Sequence, residues 1–205
     1  MTSLLQIRAI ASIDLTFVLP FVDTLNVGGN QLFGTLPTEL GWLTDLRELI
    51  IFENGFTGQL PKEMGAVESL ERIVAFLNFF SDSPRAFLGT LPNLSEMDFN
   101  DNLLSGAIPG ELFASSSLRS IALARNTLTG GIPVTDSSLP NAEFINLEAN
   151  LLGGSLPTEI GALTSVTSLS LGSNEITGSI PEEIGNLESI LRLSLGNNRI
   201  EGSIP

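Results

Sequence analysis

Carboxylates near the middle of the chain are the side chains best suited to metal chemistry. The run DFNDN, from Asp98 to Asn102, has the start of a calcium-binding loop, in which oxygen ligands occupy alternate positions. Leu103 stands where such a loop needs glycine, and Pro109 stands where it needs a bidentate glutamate. The run therefore favours a solvated acidic patch, and we predict neither a metal nor a cofactor.

Catalytic side chains are scarce. The chain contains no cysteine, histidine or tyrosine, which excludes disulfides, thiolate or histidine metal sites, and Ser-His-Asp or Cys-His nucleophiles. The remaining acid–base candidates are Glu96 and Asp98, at i and i+2 of one predicted strand, together with Glu148. Because such charges also serve solubility and binding on ordinary surfaces, we predict that the protein is not an enzyme.

The composition indicates a folded and strongly acidic protein. Of 205 residues, 42% are hydrophobic and 16% are charged, which is enough apolar material for a sizeable core. The net charge is −14, which repels a phosphate backbone, so we predict no nucleic-acid partner. No apolar run reaches the roughly 18 to 20 residues of a membrane span. Arg8 and Asp14 interrupt the apolar N-terminus, which therefore makes a poor signal peptide.

One asparagine recurs every 24 residues. The positions are Asn30, Asn54, Asn78, Asn102, Asn126, Asn150, Asn174 and Asn198. The surrounding residues follow the pattern LxxLxLxxNxLxGx(I/L)P. Self-similarity at a fixed period is typical of a solenoid, in which each repeat is one coil that buries its apolar face against its neighbours. We number the coils so that coil one contains Asn30 and coil eight contains Asn198.

Each part of the pattern predicts a structural role. The LxL step alternates as a short strand does, so eight strands should stack in parallel into one sheet of roughly 35 Å. The asparagine amide should point inward and bond backbone groups left unpaired where the chain leaves the strand. The glycine and proline columns allow a tight outer turn followed by an extended segment.

These repeats closely resemble the leucine-rich repeats of the plant-specific 24-residue type, over residues 22–205. The resemblance implies an α/β solenoid: a right-handed superhelix with a parallel sheet on the concave face and short turns or 3-10 segments on the convex face. It also implies a non-catalytic recognition module, like the receptor-kinase ectodomains and polygalacturonase inhibitors of this subclass, which bind peptides, proteins or glycans on the concave face. An extracellular or cell-surface location follows from the resemblance alone. In a secreted protein the sequon Asn93-Leu94-Ser95 could be glycosylated.

We predict a single structural domain with an N-terminal cap, residues 1–21, and eight repeats, residues 22–205, of which the last is incomplete. The cap lacks the paired cysteines usual in the subclass, and it should act as a lid on coil one. In the third repeat Asp82 replaces glycine and Arg85 replaces proline, which predicts a distorted outer turn.

The outward positions of the predicted strands differ between coils. In coils one, seven and eight these positions hold only glycine, serine and asparagine, whereas apolar and charged side chains concentrate between coils two and six. We predict that the ligand-binding residues are Ile50, Phe52, Val74, Phe76, Leu77, Asp98, Asn100, Asp101, Arg125, Phe144 and Glu148. Stacked rings of Phe52 and Phe76, about 4.8 Å apart, would form an apolar shelf beside polar acceptors. The alternative is a structural or assembly protein that self-associates, for example as a homodimer, through the apolar patch or the open C-terminal end.

Overall fold

The computed structural model describes residues 21–205 of the chain. The predicted cap of residues 1–21 lies, apart from its last residue, outside this part. Two parallel sheets of eight strands run along the solenoid, because each coil contributes one strand to each sheet. The first sheet consists of β1 Thr24–Asn26, β3 Glu48–Ile50, β5 Arg72–Val74, β7 Glu96–Asp98, β9 Ser120–Ala122, β11 Phe144–Asn146, β13 Ser168–Ser170 and β15 Arg192–Ser194. The second consists of β2 Phe33–Thr35, β4 Gly55–Gly58, β6 Phe79–Asp82, β8 Leu103–Ala107, β10 Thr127–Gly130, β12 Leu151–Ser155, β14 Glu175–Gly178 and β16 Arg199–Ile200.

The first sheet follows the 24-residue period of the sequence. Leu49 pairs with Leu25 on one side and with Ile73 on the other, and the same offset continues along the sheet. Because side chains alternate along a strand, the middle residue of each strand enters the core and its neighbours face outward. Leu49 and Ile73 are both fully buried. The predicted leucine-rich-repeat solenoid with a parallel sheet is thereby confirmed.

The second sheet was not predicted, since the sequence indicated only turns and 3-10 segments on that side. Its strands pair residues that are 22 apart, as in Thr57 with Phe79 and Thr129 with Leu151. The ladder asparagines from Asn54 onward have the same offset, because each Oδ1 accepts from the backbone N–H that lies 22 residues earlier, such as Phe56 N–H to Asn78 at 3.1 Å. The side-chain ladder and the second sheet therefore share one register.

Short helices complete most coils. They are the 3-10 helices Thr38–Trp42, Lys62–Ala66, Ala86–Thr90, Thr158–Ala162 and Glu182–Asn186, and the α-helix α1, Gly110–Phe113. A proline in extended conformation precedes most of them, as Pro37 and Pro157 do. Successive coils approach closely here, because a Cβ on Gly41 would lie 2.5 Å from the backbone oxygen of Glu63 in the next coil. Glycine at this position lets the coils stack.

The ladder asparagines join neighbouring coils through shared carbonyls. The Asn102 Nδ2 donates to the oxygens of Ala75, Phe99 and Asn100 at 3.0 to 3.2 Å, and its Oδ1 accepts from Phe80 N–H at 3.0 Å. The Ala75 oxygen also accepts from Asn78. The same sharing recurs from coil to coil, so the ladder satisfies buried backbone groups beside one continuous apolar core.

At its glycine position the third coil keeps the backbone conformation of its neighbours, so the predicted distortion of the outer turn is absent at Asp82. Asp82 has φ 61°, close to φ 73° at Gly58 and 71° at Gly106. Aspartate tolerates the left-handed conformation better than most residues, which explains why it can replace glycine. Arg85, in the proline column, is also extended, and its Nε donates to the oxygen of Leu60 at 3.0 Å. Arg85 thereby ties coil three to coil two.

Candidate functional site

An aromatic shelf, formed by Phe52 and Phe76, lies on the outward face of the first sheet. The two rings stack with their centroids 4.9 Å apart and their planes 8° from parallel. This geometry follows from the sequence, because residues 24 apart occupy neighbouring strands about 4.8 Å apart. A Cβ on Gly28 would lie 2.5 Å from the Phe52 ring, so this ring is packed over coil one. Both rings remain half-buried and therefore accessible from the face.

The residues predicted to flank the shelf differ in accessibility. Ile50 is half-buried and Leu77 is 47% exposed, so both present apolar surface. Val74 is only 6% exposed, which contradicts its predicted role as a freely projecting contact residue. Its Cα lies in register between Ile50 and Asp98, where the larger neighbouring side chains leave it little access to solvent. Leu77 also has φ 54°, a left-handed conformation that is unfavourable for leucine.

An acidic region lies beside the shelf on coil four. The Asp98 carboxylate is half-buried and accepts from the backbone N–H of Asn100 at 3.0 Å. The Asn100 Oδ1 accepts from Ala124 N–H at 2.7 Å, so this side chain turns toward coil five. Asp101 and Arg125 form an ion pair of 3.2 Å. The side chains of Asn100 and Asp101 thus both bond to coil five. The Asp98 side chain, in contrast, bonds within its own coil.

The environment of Asp98 disfavours its charged form. Burial raises the pKa of this carboxyl above the ordinary value of 3.8, and the charges of Glu96 and Asp101 raise it further. The hydrogen bond from Asn100 N–H and the charge of Arg72 act in the opposite direction and lower the pKa. A cation placed beside Asp98 would favour the charged carboxylate and lower this pKa, so the position is suited to a positively charged group.

Phe144 and Glu148 lie on coil six, and coil five separates them from the acidic region of coil four. The coil-five side chains between them are small, and Ala122 and Ala124 are 5% and 6% exposed. Phe144 is 37% exposed, and Glu148 is also exposed, with its backbone N–H bonded to Asn146 Oδ1 at 3.1 Å. The structure thus groups the predicted residues into a shelf with an acidic region and a separate aromatic–acidic pair.

Sequence reasoning considered one outward column, the first residue of each strand, only at Glu96 and Phe144. In this column Arg72 lies 2.9 Å from Glu96, and Glu48 pairs in register with Arg72. The signal was present, because the first and third residues of a three-residue strand face the same side. We call the outward face of coils two to six the central face. With this column included, it carries six carboxylates and two guanidinium groups. The carboxylates are Glu48, Glu53, Glu96, Asp98, Asp101 and Glu148, and the guanidinium groups belong to Arg72 and Arg125.

Metal binding gains no support from the arrangement. Within residues 21–205, no group of three or more acidic side chains lies close enough together to hold a metal ion. Asn102, the last residue of the calcium-like run, is 6% exposed and belongs to the ladder. The sequon residue Asn93 is exposed, and its Nδ2 donates to the oxygen of Glu68 at 2.8 Å. As for membrane crossing, none of the helices found in residues 21–205 is long and apolar enough for it.

Comparison with known proteins gives one family match within the chain and a set of similar solved structures. The family described as Leucine Rich Repeat matches residues 165–187. No curated protein matches the sequence. Among solved structures, the ectodomain of the receptor kinase GASSHO1/SCHENGEN3 from Arabidopsis thaliana, in complex with CASPARIAN STRIP INTEGRITY FACTOR 2, is 33% identical with a TM-score of 0.86, over 90% of this chain and 22% of that chain.

Two further receptors are similar. The Arabidopsis receptor kinase HAESA, in complex with the peptide hormone IDA and the co-receptor SERK1, is 26% identical with a TM-score of 0.83, over 90% of this chain and 31% of that chain. The plant peptide hormone receptor RGFR1, in complex with RGF2, is 27% identical with a TM-score of 0.74, over 87% of this chain and 32% of that chain. The chain thus spans less than a third of the length of each receptor. The repeat register, the two parallel sheets and these similarities show that the chain is a leucine-rich-repeat protein of the plant-type 24-residue class.

Proposed function

We propose that the chain is a non-catalytic recognition module that binds a peptide or a segment of a protein on the central face. The observation that carries the proposal is the aromatic shelf, whose stacked rings stay accessible beside the acidic region of coil four. Accessible aromatic side chains reduce solubility, but they are the commonest anchors of binding sites. Coil seven shows that the solenoid does not need them, because Gly172 holds the position that corresponds to Phe52 and Phe76.

Similar structures support a peptide as the ligand. HAESA was solved with the peptide hormone IDA, and RGFR1 is described as a peptide hormone receptor. An extended peptide also matches the shape of the face, which is long and continuous along eight parallel strands. We favour a peptide over a glycan for these reasons, and a glycan is an alternative outcome of the binding experiment.

The experiment is a comparison of two variants on a combined peptide and glycan array. Phe76→Ala removes one ring of the shelf, whereas Ser170→Ala changes an outward position on coil seven. We expect Phe76→Ala to weaken binding of the array hits by roughly 2 kcal/mol, because truncation of an aromatic anchor costs about that much, and Ser170→Ala to leave it unchanged. Thermal unfolding of both variants controls for folding. Equal affinity of two folded variants would place the ligand elsewhere.

Self-association is a second candidate function, supported by an apolar edge that includes Leu77 beside the shelf. Leu77, Phe79 and Leu103 are 47%, 52% and 53% exposed, and they lie on the neighbouring coils three and four. A contiguous apolar edge of this kind is suited to burial against a second copy. Light scattering over a range of concentrations distinguishes the candidates. A mass that rises with concentration in the wild type, but not in Phe79→Ser, would favour assembly.

A further inference from the structure

We propose that the central face binds a basic segment, one of whose arginine or lysine side chains lies between the ring of Phe76 and the carboxylate of Asp98. This inference rests on the proposed function and names the chemistry of its ligand. Two independent features of the face lead to it, the free side of the shelf and the missing counter-charge of Asp98.

The free side of the shelf is the ring face of Phe76 directed toward coil four. Phe52 is covered by Gly28 on one side and by Phe76 on the other. Asn100 occupies the corresponding position on coil four, but its side chain bonds to Ala124 N–H at 2.7 Å and so turns away from the ring. The face of an aromatic ring is its negative side, which attracts a cation. The shelf therefore ends in an open surface suited to a guanidinium or ammonium group.

The missing counter-charge is apparent from the register of the first sheet. Five ion pairs occur within residues 21–205, and each joins residues 24 apart on neighbouring coils. On coil four this arrangement neutralises Glu96 through Arg72 and Asp101 through Arg125. Asp98 has Val74 and Ala122 as its neighbours in register, and neither can supply a charge. The charge of Arg72 acts on Asp98, but its guanidinium group pairs with Glu96, so a cation that pairs with Asp98 itself would come from a ligand.

The two features are close enough to hold one side chain. Asp98 pairs in register with Val74 on the preceding coil, and Phe76 lies two residues after Val74. A strand spacing of about 4.8 Å and a rise of about 3.3 Å per residue give a Cα separation of about 8 Å. A guanidinium group that enters between the two side chains can contact the ring on one side and the carboxylate on the other. The hydrogen bond from Asn100 N–H fixes the carboxylate in place.

The charge of the molecule favours the same ligand. The central face has a net charge of −4, from six carboxylates and two guanidinium groups, and the whole chain has −14. A basic segment would be attracted over several ångströms and an acidic one repelled, so the charge contributes to selectivity as well as to affinity.

The experiment begins with the wild-type chain and a synthetic array of random dodecapeptides, in 0.15 M salt. We expect bound peptides to be enriched in arginine and lysine. One arginine-containing hit is then made in fluorescent form, together with a partner peptide in which citrulline replaces one arginine, because citrulline has the same shape without the charge. Fluorescence anisotropy should show a loss of about tenfold for the citrulline peptide with wild type, and of less than about twofold with Asp98→Asn.

Two further variants test the geometry. Phe76→Leu keeps an apolar side chain but removes the ring face, so it should weaken the arginine peptide more than the citrulline peptide. Asp136→Asn removes an exposed carboxylate of the coil-five connection, and it should leave the difference between the two peptides unchanged. The proposal is overturned if Asp98→Asn keeps the wild-type preference for arginine. Hits without basic enrichment would overturn the inference and leave the proposed function intact, whereas an array without any peptide hits would overturn both.

Discussion

Replacement of Asn102 by alanine tests whether the asparagine ladder stabilises the solenoid as its hydrogen bonds indicate. The Asn102 side chain makes four such bonds and is 6% exposed. Its loss leaves the N–H of Phe80, a fully buried residue, without that partner, whereas the Ala75 and Phe99 oxygens each keep a bond from another ladder asparagine. One buried unsatisfied donor costs about 1–3 kcal/mol, and each further lost bond about 1 kcal/mol or less. We therefore expect a loss of about 3 kcal/mol in the free energy of unfolding.

Asn141→Ala is the matched control, because this asparagine also bonds to the preceding coil. Its Nδ2 donates to the oxygen of Ser116 at 2.8 Å, but both residues are exposed and water can replace the bond. The expected cost is about 0.5 kcal/mol. The assay is urea unfolding followed both by circular dichroism and by the fluorescence of Trp42, which reports on coil one. For Asn102→Ala, a cost of about 3 kcal/mol corresponds to a midpoint lower by about 1 M urea. Equal midpoints for the two variants would refute the energetic role of the ladder.

Three other perturbations have defined outcomes. Because the pKa of Asp98 is raised in the folded state, its charged form costs stability at neutral pH, and Asp98→Asn should raise the melting temperature at pH 7. This gain should disappear as the pH falls through the raised pKa toward 3.8. A gain that grows on acidification would contradict this sign. Gly161→Ala should cost about 1–3 kcal/mol, since its Cβ would lie 2.6 Å from the backbone oxygen of Glu183, whereas Gly185→Ala, with open space at the equivalent position of coil seven, should be nearly neutral in urea unfolding. If the chain is secreted from eukaryotic cells, Asn93 should carry a glycan, detected as a glycosidase-sensitive mass that Asn93→Gln abolishes.

The sequence predicted the parts of the structure that depend on the 24-residue period. The inward asparagines, the parallel first sheet and the stacking of Phe52 on Phe76 all follow from placing residue i beside residue i+24. The second sheet did not follow, because its offset of 22 residues is set by bonds between coils rather than by a pattern of side chains. Its strands are also rich in glycine and threonine, so they show no alternation of apolar and polar residues.

The accessibility of individual face residues was less predictable. An outward strand position indicates only the direction of a side chain, whereas its exposure depends on the size of the neighbours in register. Val74 is buried for this reason although it points outward, and Asn100 is held by a bond to coil five that its residue type did not indicate. Phe144 was included without the rest of its column, so its equivalent Arg72 was missed, and Glu96 was considered only as an acid–base candidate.

Three unfavourable features coincide within coils two to four, and their coincidence argues for a ligand there. Leu77 exposes an apolar side chain, whereas Gly29 and Ser173 hold the same position in coils one and seven. Asp98 has apolar neighbours in register, and the rings of the aromatic shelf stay accessible to water. Each feature lowers the stability or the solubility of the free protein, and coil seven shows that the same backbone forms without any of them. A bound basic segment would cover the apolar side chains and neutralise Asp98 together, so one ligand accounts for all three.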